Sequence, residues 1–170
     1  MQLKSYITFN HVTHIEELQQ LQGIAEQIWH EHYTAIIGKD QVNYMLSKFQ
    51  TVAAMKTQIE QGYRYDLVLD DDQIIGYTAA VASEHYYYIS KFYLVQAARG
   101  KGYAKLMLAH IEELAQLEGF SKLRLNVNKY NDHSIAAYKR LGFVVIGEEK
   151  NDIGEGFFMD DYVMEKHLQQ

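Results

Sequence analysis

The segment Val95-Gln-Ala-Ala-Arg99-Gly-Lys-Gly-Tyr-Ala104 constrains the fold more than any other part of the chain, because the hydrophobic period changes across it. Before it, His85 to Val95 is rich in tyrosine and in β-branched and aromatic residues, the composition of a strand. After it, Tyr103, Met107, Ile111 and Leu114 recur on one helical face until about Glu118, and Gly119 stops the run. The pattern therefore predicts a strand, a glycine turn, and a helix opening at Gly100. The first-turn amides of such a helix lack helical partners, and its dipole favours negative charge at that end. Gly100 and Gly102 let backbone approach a bulky anion without a Cβ in the way, while Arg99 and Lys101 add positive charge. Taken alone, however, a short glycine turn is more often a helix cap than a ligand site.

Two familiar phosphate loops are excluded. A Walker A loop needs Gly-x-x-x-x-Gly-Lys followed by Ser or Thr, but Gly102 follows Lys101 and no glycine stands five residues before Gly100. A Rossmann fingerprint needs a third glycine where Lys105 stands, after an early strand of a parallel unit.

The remaining periodicity fills in the architecture. A short strand is expected at 4–10, and a helix from His14 to about Tyr33 carries Ile15, Leu18, Leu21, Ile24, Ala25, Ile28 and Trp29. Thr13 with Glu16 has the look of a capping box. A second helical region spans Lys39 to Gln61, broken near Gln50-Thr51. Strands at 63–69 and 73–82 make a hairpin around Asp70-Asp71-Asp72. Further elements are a strand at 122–128, a helix over 131–141 ended by Gly142, and strands at 143–149 and 157–166. The order predicts an α/β (α+β) fold, a mixed central sheet of about six to seven strands with helices on both faces, in one domain over 1–170.

Composition narrows the function classes. Hydrophobic residues make up 48% and charged residues 22%, ordinary for a soluble globular chain. With no cysteine there is no disulfide, thiolate metal site or cysteine nucleophile, which suits the cytoplasm. A net charge of −6 with scattered Lys and Arg argues against nucleic acid, and no apolar run is long enough for a signal peptide or a membrane span.

A second block follows the glycine turn by about 30 residues: Leu125-Asn-Val-Asn-Lys-Tyr-Asn131-Asp-His-Ser-Ile-Ala-Ala-Tyr138-Lys-Arg-Leu-Gly142-Phe143. Together, Arg99-x-x-Gly102-x-Ala104 and this Asn-led helix ending in Tyr-x-x-x-Gly-Phe resemble the GCN5-related N-acetyltransferase superfamily, in its order and strand–helix settings, over roughly 65–166. The resemblance implies that acetyl-CoA is the co-substrate. The main chain of Phe92, Tyr93 and Leu94 would pair with the pantetheine arm, and the pyrophosphate would sit on the amides of Gly100, Lys101, Gly102, Tyr103, Ala104 and Lys105, with Arg99 as the loop's leading cation. Asn131 would reach the pantetheine or phosphate region, with N-capping as its ordinary role. Tyr138 would protonate the departing thiolate, with core packing as the competing role. A strand amide near Tyr93 or Leu94 would hold the oxyanion. No metal is required, and His30 and His32, two apart on a helix, point to different faces.

The resemblance breaks at one place. Many members carry a glutamate on the third strand, about eleven residues before the loop arginine, and Tyr88 stands there, with Ser90 two residues on. Glu84 and His85 are the nearest titratable substitutes, and Glu31 is a more distant carboxylate. Tyr86 and Tyr88 share one strand face and Tyr87 the other; with Tyr33 and Tyr44 they could offer π faces to a cationic amine, although tyrosine also simply suits half-buried strands. The N-terminal helices and the ending Phe157–Lys166 are similar to bacterial members described as diamine or polyamine acetyltransferases, which implies a small primary amine as acceptor. Competing readings are a protein N-terminal or lysine acetyltransferase and a non-catalytic acyl-CoA-binding sensor. Homodimerisation, common in the superfamily, would use the C-terminal strands.

Overall fold

A computed structural model describes residues 7–169. In chain order the elements are β1 (Ile7–His11), α1 (Ile15–Ile37), α2 (Lys39–Phe49), α3 (Val52–Glu60), β2 (Arg64–Asp70), β3 (Gln73–Ala82), β4 (Tyr87–Leu94), a 3₁₀ turn (Gln96–Ala98), α4 (Tyr103–Leu117), β5 (Lys122–Asn128), α5 (Asp132–Arg140), β6 (Val144–Gly154) and β7 (Phe157–His167). Seven strands form one mixed sheet in the order β1-β2-β3-β4-β5-β7-β6. β4 pairs with β5 in parallel, from Tyr87↔Leu123 to Ile89↔Leu125, whereas β4 itself continues to Leu94. The first part of the strand expected at 4–10 lies outside the described residues.

Chain contacts group into two compact units: the chain up to Ala80 with Lys91–Ala109, and Val81–Ser90 with the chain from His110 on. In the first, α1 lays Leu21, Ala25, Ile28 and Trp29 into the core. Trp29 Nε1 donates to the Tyr77 hydroxyl at 3.1 Å, and that hydroxyl donates to Gln50 Oε1 at 3.1 Å. Gln50 and Tyr77 are both fully buried, so this chain satisfies groups that would otherwise destabilise the core by about 1–3 kcal/mol each. In the second unit, Leu123, Leu125 and Val127 alternate inward from β5, and Phe143 and Met164 fill the space beside them.

Several boundaries differ from the sequence reading, each for a local reason. α1 runs a turn past Tyr33 to Ile37, and Gly38 ends it at φ +85°. The N-terminal box is shifted by one residue: Glu17, not Glu16, accepts from the amides of Thr13 and His14, both at 2.9 Å. β4 begins at Tyr87 because Ser83 N donates to Tyr86 O and closes a turn over 83–86. α4 begins at Tyr103, since Gly100 and Gly102 both adopt positive φ, +76° and +83°, which no helix accommodates. β6 extends to Gly154 because the hairpin to β7 turns only at Glu155-Gly156, both at positive φ. The break at Gln50-Thr51 holds, with Thr51 Oγ1 accepting from Ala54 N at 3.1 Å to start α3.

β6 is an edge strand. Val144, Val145 and Ile146 are exposed along it, and the register with β7 slips between Val145 and Gly147.

Candidate active site

The glycine turn is held from three sides within the first unit. Arg99 folds back onto the strand: its Nε and Nη2 donate to Leu94 O at 3.3 and 3.1 Å, and its Nη1 lies 3.2 Å from His32 Nδ1. The Gln96 amide donates to Glu31 Oε2 at 3.3 Å. On the far side, the buried Tyr103 donates its phenol to Asp70 Oδ2 at 2.7 Å. Between these holds, Gly100, Lys101 and Gly102 are exposed. Cβ atoms at the two glycines would meet nothing within 4 Å, so glycine is required there by the backbone angle rather than by a crowded neighbour. The result is an open turn that delivers the partnerless amides of Tyr103, Ala104 and Lys105 at the start of a 15-residue helix. Those amides and that dipole end fit a phosphate group. Lys101 and Lys105 are exposed beside them, whereas the Arg99 charge is spent inside the protein.

The strand feeding the turn is wedged by aromatic rings. Tyr93 lies edge-on to Trp29 and Tyr33, with ring centroids 5.7 and 6.0 Å away, and tilted over Tyr77 at 5.4 Å. Tyr33 stacks on Trp29 at 4.4 Å and is itself buried. Tyr33, which the sequence placed among acceptor-contacting rings, thus belongs to this aromatic packing. On the adjoining strand Gly76 admits the Tyr93 carbonyl so closely that a methyl group would lie 2.2 Å from its oxygen. On Lys91, also on β4, desolvation by burial brings the ammonium down to about 8.

In the second unit, Asn131 caps α5, its Oδ1 accepting from Ser134 N at 3.4 Å, and it is buried. Tyr138, on α5, sets its ring against Phe143 at 5.8 Å. The Phe143 amide donates to Tyr138 O at 3.0 Å, so Tyr-x-x-x-Gly-Phe is a helix terminus closed on its own tyrosine. Gly142 takes φ +102°, the conformation that makes the closure possible.

The tyrosine run divides as expected by face. Tyr86 and Tyr88 are in ring contact at 6.4 Å, and Tyr87 packs on Phe120 at 5.8 Å. The Tyr86 face, however, already carries a cation: the Arg124 guanidinium sits 4.0 Å from its centroid, held by Glu165 at 2.7 Å from Nε. An internal arginine therefore already covers one face of the Tyr86 ring. Of the substitute bases, Glu84 is exposed and lies 3.7 Å from His85, and Glu31 is occupied by the Gln96 amide and by Gln27 Nε2 at 3.0 Å. Asp161 is a carboxylate whose proton affinity the protein raises. It is 4% exposed, and burial raises it to about 6, with Glu149 and Asp160 adding to the rise and Asn126 opposing it. Among the described residues, no three His, Asp or Glu side chains gather as metal ligands.

The family model for the Acetyltransferase (GNAT) family matches residues 20–143, which includes the glycine turn, β5, α5 and Gly142-Phe143. The chain belongs to the GNAT family. Among curated relatives, the 5-NmdU N-acetyltransferase of Pseudomonas phage PaMx11 is 37% identical over 67 residues, 39% of this chain and 46% of the relative. The peptidyl-lysine N-acetyltransferase YjaB of Salmonella typhimurium is 30% identical over 91 residues, 53% of this chain and 57% of the relative. The matched segments thus span about half the length of these GNAT relatives. Among solved structures, the PaiA N-acetyltransferase of Thermoplasma acidophilum in complex with coenzyme A superposes with a TM-score of 0.79 at 20% identity, covering 95% of this chain and 99% of that one. A GCN5-related N-acetyltransferase of Rhodopseudomonas palustris gives 0.81 at 13% identity, covering 99% of each. At such identities the likeness is one of fold, and the fold is that of a GNAT acetyltransferase.

Proposed function

We propose that the chain, acting as one N-acetyltransferase domain over 1–170, transfers an acetyl group from acetyl-CoA to a primary amine of a small molecule. The observation that carries this reading is the turn at Gly100-Lys101-Gly102. Two left-handed glycines, held open by Arg99 and Tyr103, present the first amides of α4 in a chain of the GNAT family. In this reading those amides take the pyrophosphate, and the main chain of Phe92, Tyr93 and Leu94 takes the pantetheine arm. Arg99 already occupies the Leu94 carbonyl, so that residue would contribute its amide. Such an amide is also the donor available to an oxyanion.

The chemistry balances without a further reactant. A neutral amine forms a C–N bond to the thioester carbonyl, the C–S bond breaks, Tyr138 supplies a proton to the departing sulfur, and the amine proton leaves through a base or water. Tyr88 in place of the family glutamate leaves deprotonation to water or to another carboxylate. The acetyl-CoA assignment is supported by the family and by the coenzyme A complex of the Thermoplasma neighbour. The cytoplasm is the proposed location, in line with a chain free of cysteine and with no described helix long and apolar enough to cross a membrane.

A peptide acceptor is the second reading, and the name of the Salmonella relative favours it. The test is CoA release with acetyl-CoA across a panel of amines, polyamines and lysine peptides. Turnover of small amines supports the proposal, turnover of peptides alone replaces the acceptor class, and acetyl-CoA binding without turnover of any amine leaves a sensor.

A further inference from the structure

We propose that His32, near the C-terminal end of α1, is a positioning residue for acetyl-CoA binding: it holds Arg99 across the Leu94 carbonyl and so fixes the backbone of the glycine turn. The inference rests on the turn being the pyrophosphate site, as proposed above. Its basis is the direction of one hydrogen bond. A guanidinium has donors only, so the 3.2 Å contact between Arg99 Nη1 and His32 Nδ1 requires Nδ1 to accept. His32 is thereby the neutral tautomer with its proton on Nε2. The imidazole is steered by its neighbour, edge-on to Tyr33 at 4.8 Å, and Tyr33 is stacked on the buried Trp29.

Arg99 then has two fixed endpoints. Nε and Nη2 grip Leu94 O, and Nη1 is tied to α1. One turn of α1 makes a second contact with the same segment, through Glu31 and the Gln96 amide. The turn between Leu94 and Tyr103 contains two glycines at positive φ, the residues that lose most conformational freedom on ordering. Without outside ties the open turn would sample other shapes, and a ligand would have to select the competent one, at a cost in apparent affinity. His32 is one of those ties, and it acts at the residue that precedes the first glycine.

The experiment is calorimetric titration of coenzyme A into the wild-type chain and into His32→Leu, His32→Asn and His32→Gln, with thermal melts of each. Asn places its carbonyl oxygen near the position of Nδ1, whereas Gln places its own near Nε2. The expected result is a Kd raised about tenfold in His32→Leu and His32→Gln, in line with losing a hydrogen bond to a charged partner. His32→Asn should return to within about threefold of wild type. In steady-state assays the increase should fall on KM for acetyl-CoA and not on KM for the amine. The double variant His32→Leu with Arg99→Leu should bind no more weakly than Arg99→Leu alone, because the two act as one unit. Equal affinity in all three single variants, or an Asn variant as weak as the Leu variant, overturns the role. If His32→Leu fails to fold, the Asn–Gln comparison decides alone. A wild-type chain that binds no coenzyme A overturns the proposed function itself and this inference with it.

Discussion

The Tyr103 phenol donates to Asp70 Oδ2 at 2.7 Å, joining the first residue of α4 to the last residue of β2. A helix whose N-terminal amides are to receive an anion has to be held still at that end, and this bond is the tie on its outer side. Tyr103→Phe keeps the buried ring and removes the tie. The expected loss is about 1–2 kcal/mol, a fall in Tm of roughly 3–6 °C, with weaker coenzyme A binding by titration.

Gly76 is the position of least tolerance. A Cβ there meets the Tyr93 carbonyl oxygen at 2.2 Å and Leu94 Cα at 3.2 Å, both on β4. Gly76→Ala must push the two strands apart, with a destabilisation of about 3 kcal/mol or more in urea unfolding. Because the displaced atoms are the backbone proposed to carry pantetheine, residual folded protein should also show a raised KM for acetyl-CoA.

Asp161 gives stability a pH dependence of definite sign. Its folded proton affinity, about 6, lies above the ordinary value of 3.8, so the folded state holds the proton more tightly than the unfolded chain does. Stability from this group is therefore full below about pH 4, declines as pH rises toward 6, and stays reduced above. Asp161→Asn removes the decline. At pH 7 the variant should be more stable than wild type by on the order of 2 kcal/mol, a difference that shrinks to nothing near pH 4. Denaturant midpoints across that range provide the check.

Tyr138 separates chemistry from packing. Its ring contact with Phe143 is kept in Tyr138→Phe, so the packing role is preserved. As proton donor to the thiolate, its loss should lower kcat by a factor of about 100, with KM for acetyl-CoA changed much less. An unchanged kcat would assign Tyr138 to packing.

The legible parts of this molecule are those encoded by neighbours in the chain. The strand–turn–helix at Val95–Ala104, the Asn131 cap and the Tyr138–Gly142-Phe143 terminus each depend on residues within a turn or two of one another. Their chemistry was therefore visible as spacing. Even there, the start of α4 was read three residues early, because a glycine pair shows freedom without showing which φ it takes. The partners of those residues were not legible. Arg99 reads as a loose positive charge until His32, 67 residues away, is placed against it. Tyr86 reads as an open π face until the strand register brings Arg124 beside it. Asp161 sits in Met159-Asp-Asp-Tyr, a run that reads as solvated; only pairing with Asn128 and Glu149 shows it to be interior. Gly38 was an overlooked local signal, a stop that fits a longer α1.

α1 joins two tasks in one turn and a half of helix: Trp29 and Tyr33 support the strand from below, while Glu31 and His32 clasp the turn that follows it. The glycine turn is thus not a portable cassette. Moved into another scaffold as residues 95–105, it would bring its amides and leave its clasp behind; an engineered chimera would have to inherit the end of α1 with the turn, or supply another acceptor for Arg99.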